Sequence, residues 1–230
     1  MGPAGNMRTG LFGGCFNPPH IGHLITIADA IHACGLERVF FIPNKHPPHK
    51  EGTELAPGKH RARMLSLSLE HLPQAEVSLF ELNQPGTSYS YKTIRHYLRH
   101  TPARELFFIL GMDAFAEIHT WALYPDILNL CNFLVLTRPG YHIDVSRFPA
   151  DYLVHAVTGT SRMQAKGCHA FLAQNIQLNI SSSDIRNRIR SGRPIRYLVL
   201  PAVEQYISLH NLYLNQKETP GDHDHYCPIS

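Results

Sequence analysis

Two histidines three residues apart, His20 and His23, flank Gly22 in the run Gly13-Gly14-Cys15-Phe16-Asn17-Pro18-Pro19-His20-Ile21-Gly22-His23-Leu24. An i, i+3 pair at the start of a helix puts both imidazoles on one face, and Gly22 between them leaves room for a ligand. Imidazoles donate to phosphate oxygens, glycines let a phosphate approach the backbone, and a helix N-terminus favours anions. The run lacks both the dinucleotide pattern G-x-G-x-x-G and the phosphate loop G-x-x-x-x-G-K-[ST], so a different phosphate device is needed. Two blander readings stand beside this one. The histidines could simply cap or pack the helix, and with Cys15 they could bind zinc, although no fourth ligand has sensible local spacing.

A second candidate lies far along the chain, at Ile180-Ser181-Ser182-Ser183-Asp184-Ile185-Arg186. Serines before a helical pattern read as an N-cap, with Gly192 as the stop. Capping accounts for one serine. Three serines with Arg186 on the first turn could also bind phosphate through hydroxyls, backbone N–H groups and a guanidinium.

The elements that must position these residues form a β-α-β rhythm. Strand-like runs recur at Thr9–Phe12, Val39–Pro43, Glu76–Leu79, Leu106–Leu110 and Phe133–Thr137. Helices are predicted over Gly22–Cys34, Lys59–His71, Tyr91–Arg99, Tyr124–Leu130, Ser183–Ser191 and Ala202–His210. Short apolar strands alternating with helices imply a Rossmann-like α/β fold, a mostly parallel sheet with helices on both faces. In such a sheet the turn after the first strand is where ligands bind. A single domain is expected over 1–215, with weak periodicity from 141 to 167 and a polar, flexible tail over 216–230.

Composition narrows the class. With 21 basic and 18 acidic residues the formal charge is only +3, too little for a general nucleic-acid or membrane-surface binder. The five cysteines are odd in number, scattered and never spaced C-x-x-C, which favours a reducing compartment. No apolar run approaches a bilayer span and the first six residues lack a signal pattern, so a cytoplasmic protein is expected.

Together, the segments around His20 and Arg186 resemble the H-x-G-H nucleotidyltransferase superfamily, and the chain from Thr9 to about Leu209 looks like a nicotinate-mononucleotide adenylyltransferase. The family's opening G-G-T-F-D-P-x-H-x-G-H is matched with Cys15 for Thr and Asn17 for Asp. Gly86-Thr87-Ser88-Tyr89-Ser90 followed by Thr93, Gly111-Met112-Asp113, Thr120-Trp121 and the I-S-S-[ST]-x-I-R motif complete the set.

The resemblance implies transfer of AMP from ATP to nicotinate mononucleotide, with His20, His23 and Arg186 on the phosphates. Gly14, Cys15, Phe16, Gly111, Asp113, Ile180, Ser181, Ser182 and Ser183 would hold ATP. Asn44, Lys45, His49, Thr87, Tyr89 and Trp121 would hold the mononucleotide, with Trp121 stacking on the pyridine. Mg²⁺ would bridge the polyphosphate. The expected partners are these small molecules, with no nucleic acid and no membrane, and a homo-oligomer is compatible with this reading. Other acceptors (nicotinamide mononucleotide, phosphopantetheine) and a non-catalytic ATP sensor remain open. A class I aminoacyl-tRNA synthetase, which shares H-I-G-H, is disfavoured by the absence of K-M-S-K-S.

Overall fold

The computed structural model describes residues 7–46, 55–103, 105–137, 148–149, 152, 154–157, 168–174, 176 and 178–214. Its centre is a seven-stranded sheet in the order β3-β2-β1-β4-β5-β7-β6. The strands are β1 (Arg8–Gly14), β2 (Arg38–Pro43), β3 (Ala75–Val77), β4 (Glu105–Gly111), β5 (Asn132–Thr137), β6 (Val154–Val157) and β7 (Ala170–Gln174). Every pairing is parallel. The helices are α1 (Ile21–Cys34), α2 (Gly58–Leu69), α3 (Phe80–Asn83), α4 (Ser90–His100), α5 (Met112–Ala116), α6 (Ser182–Arg190) and α7 (Pro201–Leu209).

Side chains alternate between the two faces of a strand, and here both faces are buried, so the strands read as unbroken apolar runs. Leu11, Phe40, Ile42, Phe108, Leu110, Phe133 and Val135 pack on one side with Ile94, Met112 and Phe115. Their neighbours Phe12, Val39, Phe41, Phe107, Ile109, Leu134 and Leu136 pack on the other side with Ile27, Ala30 and Leu65. A third apolar cluster joins Met64 of α2 to Ile185 of α6 and to Val203 and Ile207 of α7. It is this cluster that docks the last two helices beside the sheet.

The strand order creates the site. The chain builds outward from β1 through β2 to β3, then returns along α4 to lay β4 on the opposite side of β1. Connections leaving β1 and β4 therefore diverge, and a crevice opens at their carboxyl ends.

All five predicted strands and five of the six predicted helices are present, with ends shifted by a few residues. The predicted helix Tyr124–Leu130 is instead a single 3₁₀ turn, Asp126–Asn129. Pro125 has no N–H to donate, which limits helix to the residues after it. The predicted strand end at Leu79 is also corrected: β3 stops at Val77, and Leu79 leads into α3. The weakly periodic stretch contains β6, and β7 comes after it, neither of which was predicted. The 216–230 tail lies outside the described residues.

Phe133 is fully buried between the sheet and α5. Phe133→Ala is expected to lower stability by about 3–5 kcal/mol, read as a shift in the urea midpoint at unchanged slope. A loss below about 1 kcal/mol would contradict this packing.

Candidate active site

The loop from β1 to α1 runs over the carboxyl end of the sheet, and its conformation is fixed from below. Phe16 adopts a positive φ of 47° and turns its ring inward against Phe12 and Phe41, with ring centroids 5.5 and 5.7 Å away. A Cβ at Gly14 would lie 3.0 Å from that ring, so a side chain there would require the ring to give by a few tenths of an ångström. Three successive features of the loop are then tied by side chains from elsewhere. Arg61 Nη1 donates to the Cys15 carbonyl at 2.8 Å, Arg186 Nη1 to the Asn17 carbonyl at 2.8 Å, and Ser182 Oγ to the Pro18 carbonyl at 2.8 Å.

At the first turn of α1 the two imidazoles lie almost face to face, 3.6 Å between centroids. The His20 N–H donates to His23 Nδ1 at 3.1 Å. That nitrogen is therefore unprotonated, and a neutral His23 carries its proton on Nε2 as a donor. His20 is buried, and desolvation lowers its pKa from 6.5 to about 4, so its ring is neutral near pH 7. Its Nδ1 is buried with no hydrogen-bond partner among the described residues. A Cβ at Gly22 would come within 3.0 Å of this nitrogen. Gly22 thus clears the His20 ring, and it also lines the smaller of the two cavities described below, beside both histidines, as its place between them suggested.

At α6, Ser181 is the N-cap. Its Oγ accepts from the Asp184 N–H at 3.0 Å and donates to the Asp184 carboxylate at 2.8 Å. Arg186, one turn on, reaches the loop as described and contacts Ser183 Oγ at 3.3 Å, while its Nε is buried without a partner among the described residues.

Two cavities open at the crevice. The smaller, about 540 Å³, is lined by His20, His23, Thr26, the three serines and Arg186, with Ile176 and Leu178 on its wall. The larger, about 960 Å³, is lined by Asn44, Glu81, Tyr89, Asp113 and Trp121 and by the apolar ends of β1 and β4. Phe12, Gly14, Cys15 and Gly111 line both. The cavities therefore meet where β1 and β4 end.

The fold thus brings His20, His23 and Arg186 into one cavity together with Phe16, Ile180, Ser181, Ser182 and Ser183. Asn44, Tyr89 and Trp121 share the other. Trp121 stands edge-on to Phe108, with centroids 6.0 Å apart. Asp113, expected on the ATP side, lines the larger cavity instead. Lys45 donates its Nζ to the Gln84 carbonyl at 2.9 Å, and neither it nor Thr87 lines either of these two cavities. His49 lies outside the described residues.

Two residues escaped sequence reasoning. Arg61 is a buried cation, and burial lowers its pKa; within α2 it looks like one more surface arginine. Glu81 is a buried carboxylate on α3, a single turn too short to show periodicity.

Residues 11–188 match the family model described as Cytidylyltransferase-like. Over 212 residues the chain is 39% identical to a probable nicotinate-nucleotide adenylyltransferase of Pelobacter propionicus, covering 90% of this chain and 98% of that protein. It is 31% identical over 206 residues to the nicotinate-nucleotide adenylyltransferase of Bacillus subtilis, with 90% and 98% covered. Among solved structures it resembles Plasmodium falciparum nicotinic acid mononucleotide adenylyltransferase complexed with NaAD. That match has a TM-score of 0.68 at 18% identity and covers 90% of this chain and 98% of that one, a likeness of fold.

The buried His20 makes stability depend on pH. Unfolded, it binds a proton below about pH 6.5, whereas the folded protein refuses that proton until about pH 4. Its contribution is fully present above pH 6.5 and is lost as pH falls toward 4, by on the order of 3 kcal/mol. In urea melts at pH 7 and 4.5, His20→Gln is expected to lose less stability on acidification than the parent. An equal loss would place His20 in solvent.

Proposed function

The chain belongs to the nicotinate-nucleotide adenylyltransferase family, and from that premise we propose that it transfers AMP from ATP to nicotinate mononucleotide, releasing pyrophosphate. The observation that carries this reading is the meeting of two cavities of different character at Gly14, Cys15 and Gly111. In the proposed arrangement the polar cavity takes the ATP phosphates and the apolar one takes the mononucleotide. The acceptor's 5′-phosphate and the α-phosphorus then face each other at the junction.

A mononucleotide phosphate is already anionic near pH 7, so no general base is required, and catalysis is alignment plus neutralisation of developing charge. His23, with its proton on Nε2, donates to the transferring phosphoryl group. His20 stays neutral, so it offers a hydrogen bond without adding charge. Arg186 supplies the fixed positive charge on the side toward which pyrophosphate leaves. Backbone N–H groups near Gly14, Cys15 and Phe16 face the α-phosphate, and the exposed apolar side chains of Ile176 and Leu178 give the adenine a dry surface. Trp121 stacks on the pyridine, an interaction worth about 1–3 kcal/mol.

Among the described residues no group of three or more His, Cys, Asp or Glu side chains could hold a metal. Mg²⁺ in this proposal arrives on the triphosphate as part of the substrate, where it neutralises phosphate charge and needs no dedicated protein cage. A cytoplasmic setting is proposed as well, on the strength of four free cysteines among the described residues.

The acceptor is tested by pyrophosphate release with nicotinate mononucleotide, nicotinamide mononucleotide and phosphopantetheine in turn. Nicotinate mononucleotide is expected to give the highest kcat/KM; turnover with none of the three would leave an ATP-binding sensor. His23→Ala is expected to lower kcat by on the order of 10² to 10³ while the protein still folds and melts cooperatively. Near-normal turnover in that variant would remove His23 from the chemistry. Trp121→Ala is expected to raise KM for the mononucleotide and leave that for ATP nearly unchanged. Equal rises in both would move Trp121 out of the acceptor site.

A further inference from the structure

Glu81 is 5% exposed, and both its carboxylate oxygens are engaged by neutral donors. Asn44 Nδ2 donates to Oε2 at 2.7 Å, and Thr93 Oγ1 donates to Oε1 at 2.7 Å. The three residues come from the position just after β2, from α3 and from α4, and two of them, Asn44 and Glu81, line the larger cavity. The Asn44 backbone is fixed as well, by donation of its N–H to the Gly14 carbonyl at 2.9 Å.

An ionised carboxylate only accepts hydrogen bonds, so it dictates which end of a neighbouring amide faces it. With Nδ2 turned to Glu81, Asn44 offers its Oδ1, an acceptor, to the rest of its surroundings. A ligand recognised by Oδ1 must therefore donate. Nicotinate mononucleotide near neutral pH has few donors: its ring nitrogen is quaternary, and its ring carboxylate and its phosphate are acceptors. Its two ribose hydroxyls are what remains.

We infer that Glu81 is a positioning residue that sets the polarity of Asn44, and that Asn44 Oδ1 reads a ribose hydroxyl of the acceptor. This rests on the proposed acceptor. It adds a basis for preferring ribo- over deoxyribo-mononucleotides, written in a residue that need not touch the substrate. Glutamine at position 81 would remove the constraint. It presents one oxygen and one nitrogen, and the Thr93 hydroxyl can donate or accept, so the Asn44 amide could turn either end to the cavity.

The test is steady-state kinetics with nicotinate mononucleotide and its 2′-deoxy and 3′-deoxy analogues. The parent enzyme is expected to lose about 10- to 100-fold in kcat/KM when one of the two hydroxyls is removed. In Glu81→Gln that preference is expected to fall to within about threefold, with KM raised for the mononucleotide and unchanged for ATP. Thr93→Val keeps the Asn44–Glu81 bond and is expected to keep the preference.

A Glu81→Gln enzyme that retains the full preference overturns the inference, as does a Thr93→Val enzyme that loses it, since the network would then act only through packing. If Glu81→Gln fails to melt cooperatively, Asn44→Ala decides: loss of the hydroxyl preference supports the inference and its retention overturns it. A parent enzyme that turns over nicotinate mononucleotide but ignores both hydroxyls defeats the inference alone. One that releases no pyrophosphate from it defeats the proposed function, and the inference with it.

Discussion

Three backbone carbonyls in the β1–α1 loop need donors that no sheet or helix can give them. Buried or half-buried peptide groups are costly when left unpaired, so the loop holds its shape only if side chains supply the missing bonds. Arg61 supplies one from α2, and Ser182 and Arg186 supply two from α6. The Ile21 N–H, at the start of α1, donates to the Leu198 carbonyl at 2.9 Å and adds a fourth tie. The start and the end of the fold thereby become one structure. The price is a nearly fully buried guanidinium at Arg61, whose bonds to the Cys15 and Ala56 carbonyls offset part of the cost of desolvation.

That tie produces a division of labour between two cavities. The loop is the wall they share, so whatever binds in one is held next to whatever binds in the other. On the side of α6 the wall is polar, with serines, imidazoles and a guanidinium. On the side of β4 and α3 it is apolar and aromatic, and its buried acid is satisfied by neutral donors. For the proposed reaction this separates recognition of an anionic polyphosphate from recognition of a flat ring. The low pKa of His20 fits the same arrangement, because charge is left to Arg186 and the imidazoles contribute direction.

The spacing of His20 and His23, the serines before Arg186 and the apolar runs of the central strands were legible because each is a local pattern. Their convergence was not local, and it was reached through resemblance; the structure supplies its cause in the contacts of α6 with the loop. Elements of four or five residues, such as α3 and α5, fall below the length at which a 3.6-residue period can be seen. Glu81 was missed for that reason. Arg61 was missed because nothing in the sequence distinguishes a buried arginine from a solvated one when its partners are backbone carbonyls. Gly22 was singled out correctly, since it lines the cavity beside both histidines, and it also makes room for the neighbouring His20 Nδ1, a contact that spacing alone does not reveal.

The proposed chemistry requires a single nucleotide lying where the two ends of the fold are joined. A crystal structure with a non-hydrolysable ATP analogue measures this directly. Phosphate oxygens are expected within about 3.2 Å of both His23 Nε2 and the Arg186 guanidinium in the same molecule. A triphosphate lying instead in the larger cavity beside Trp121, away from both groups, would contradict it.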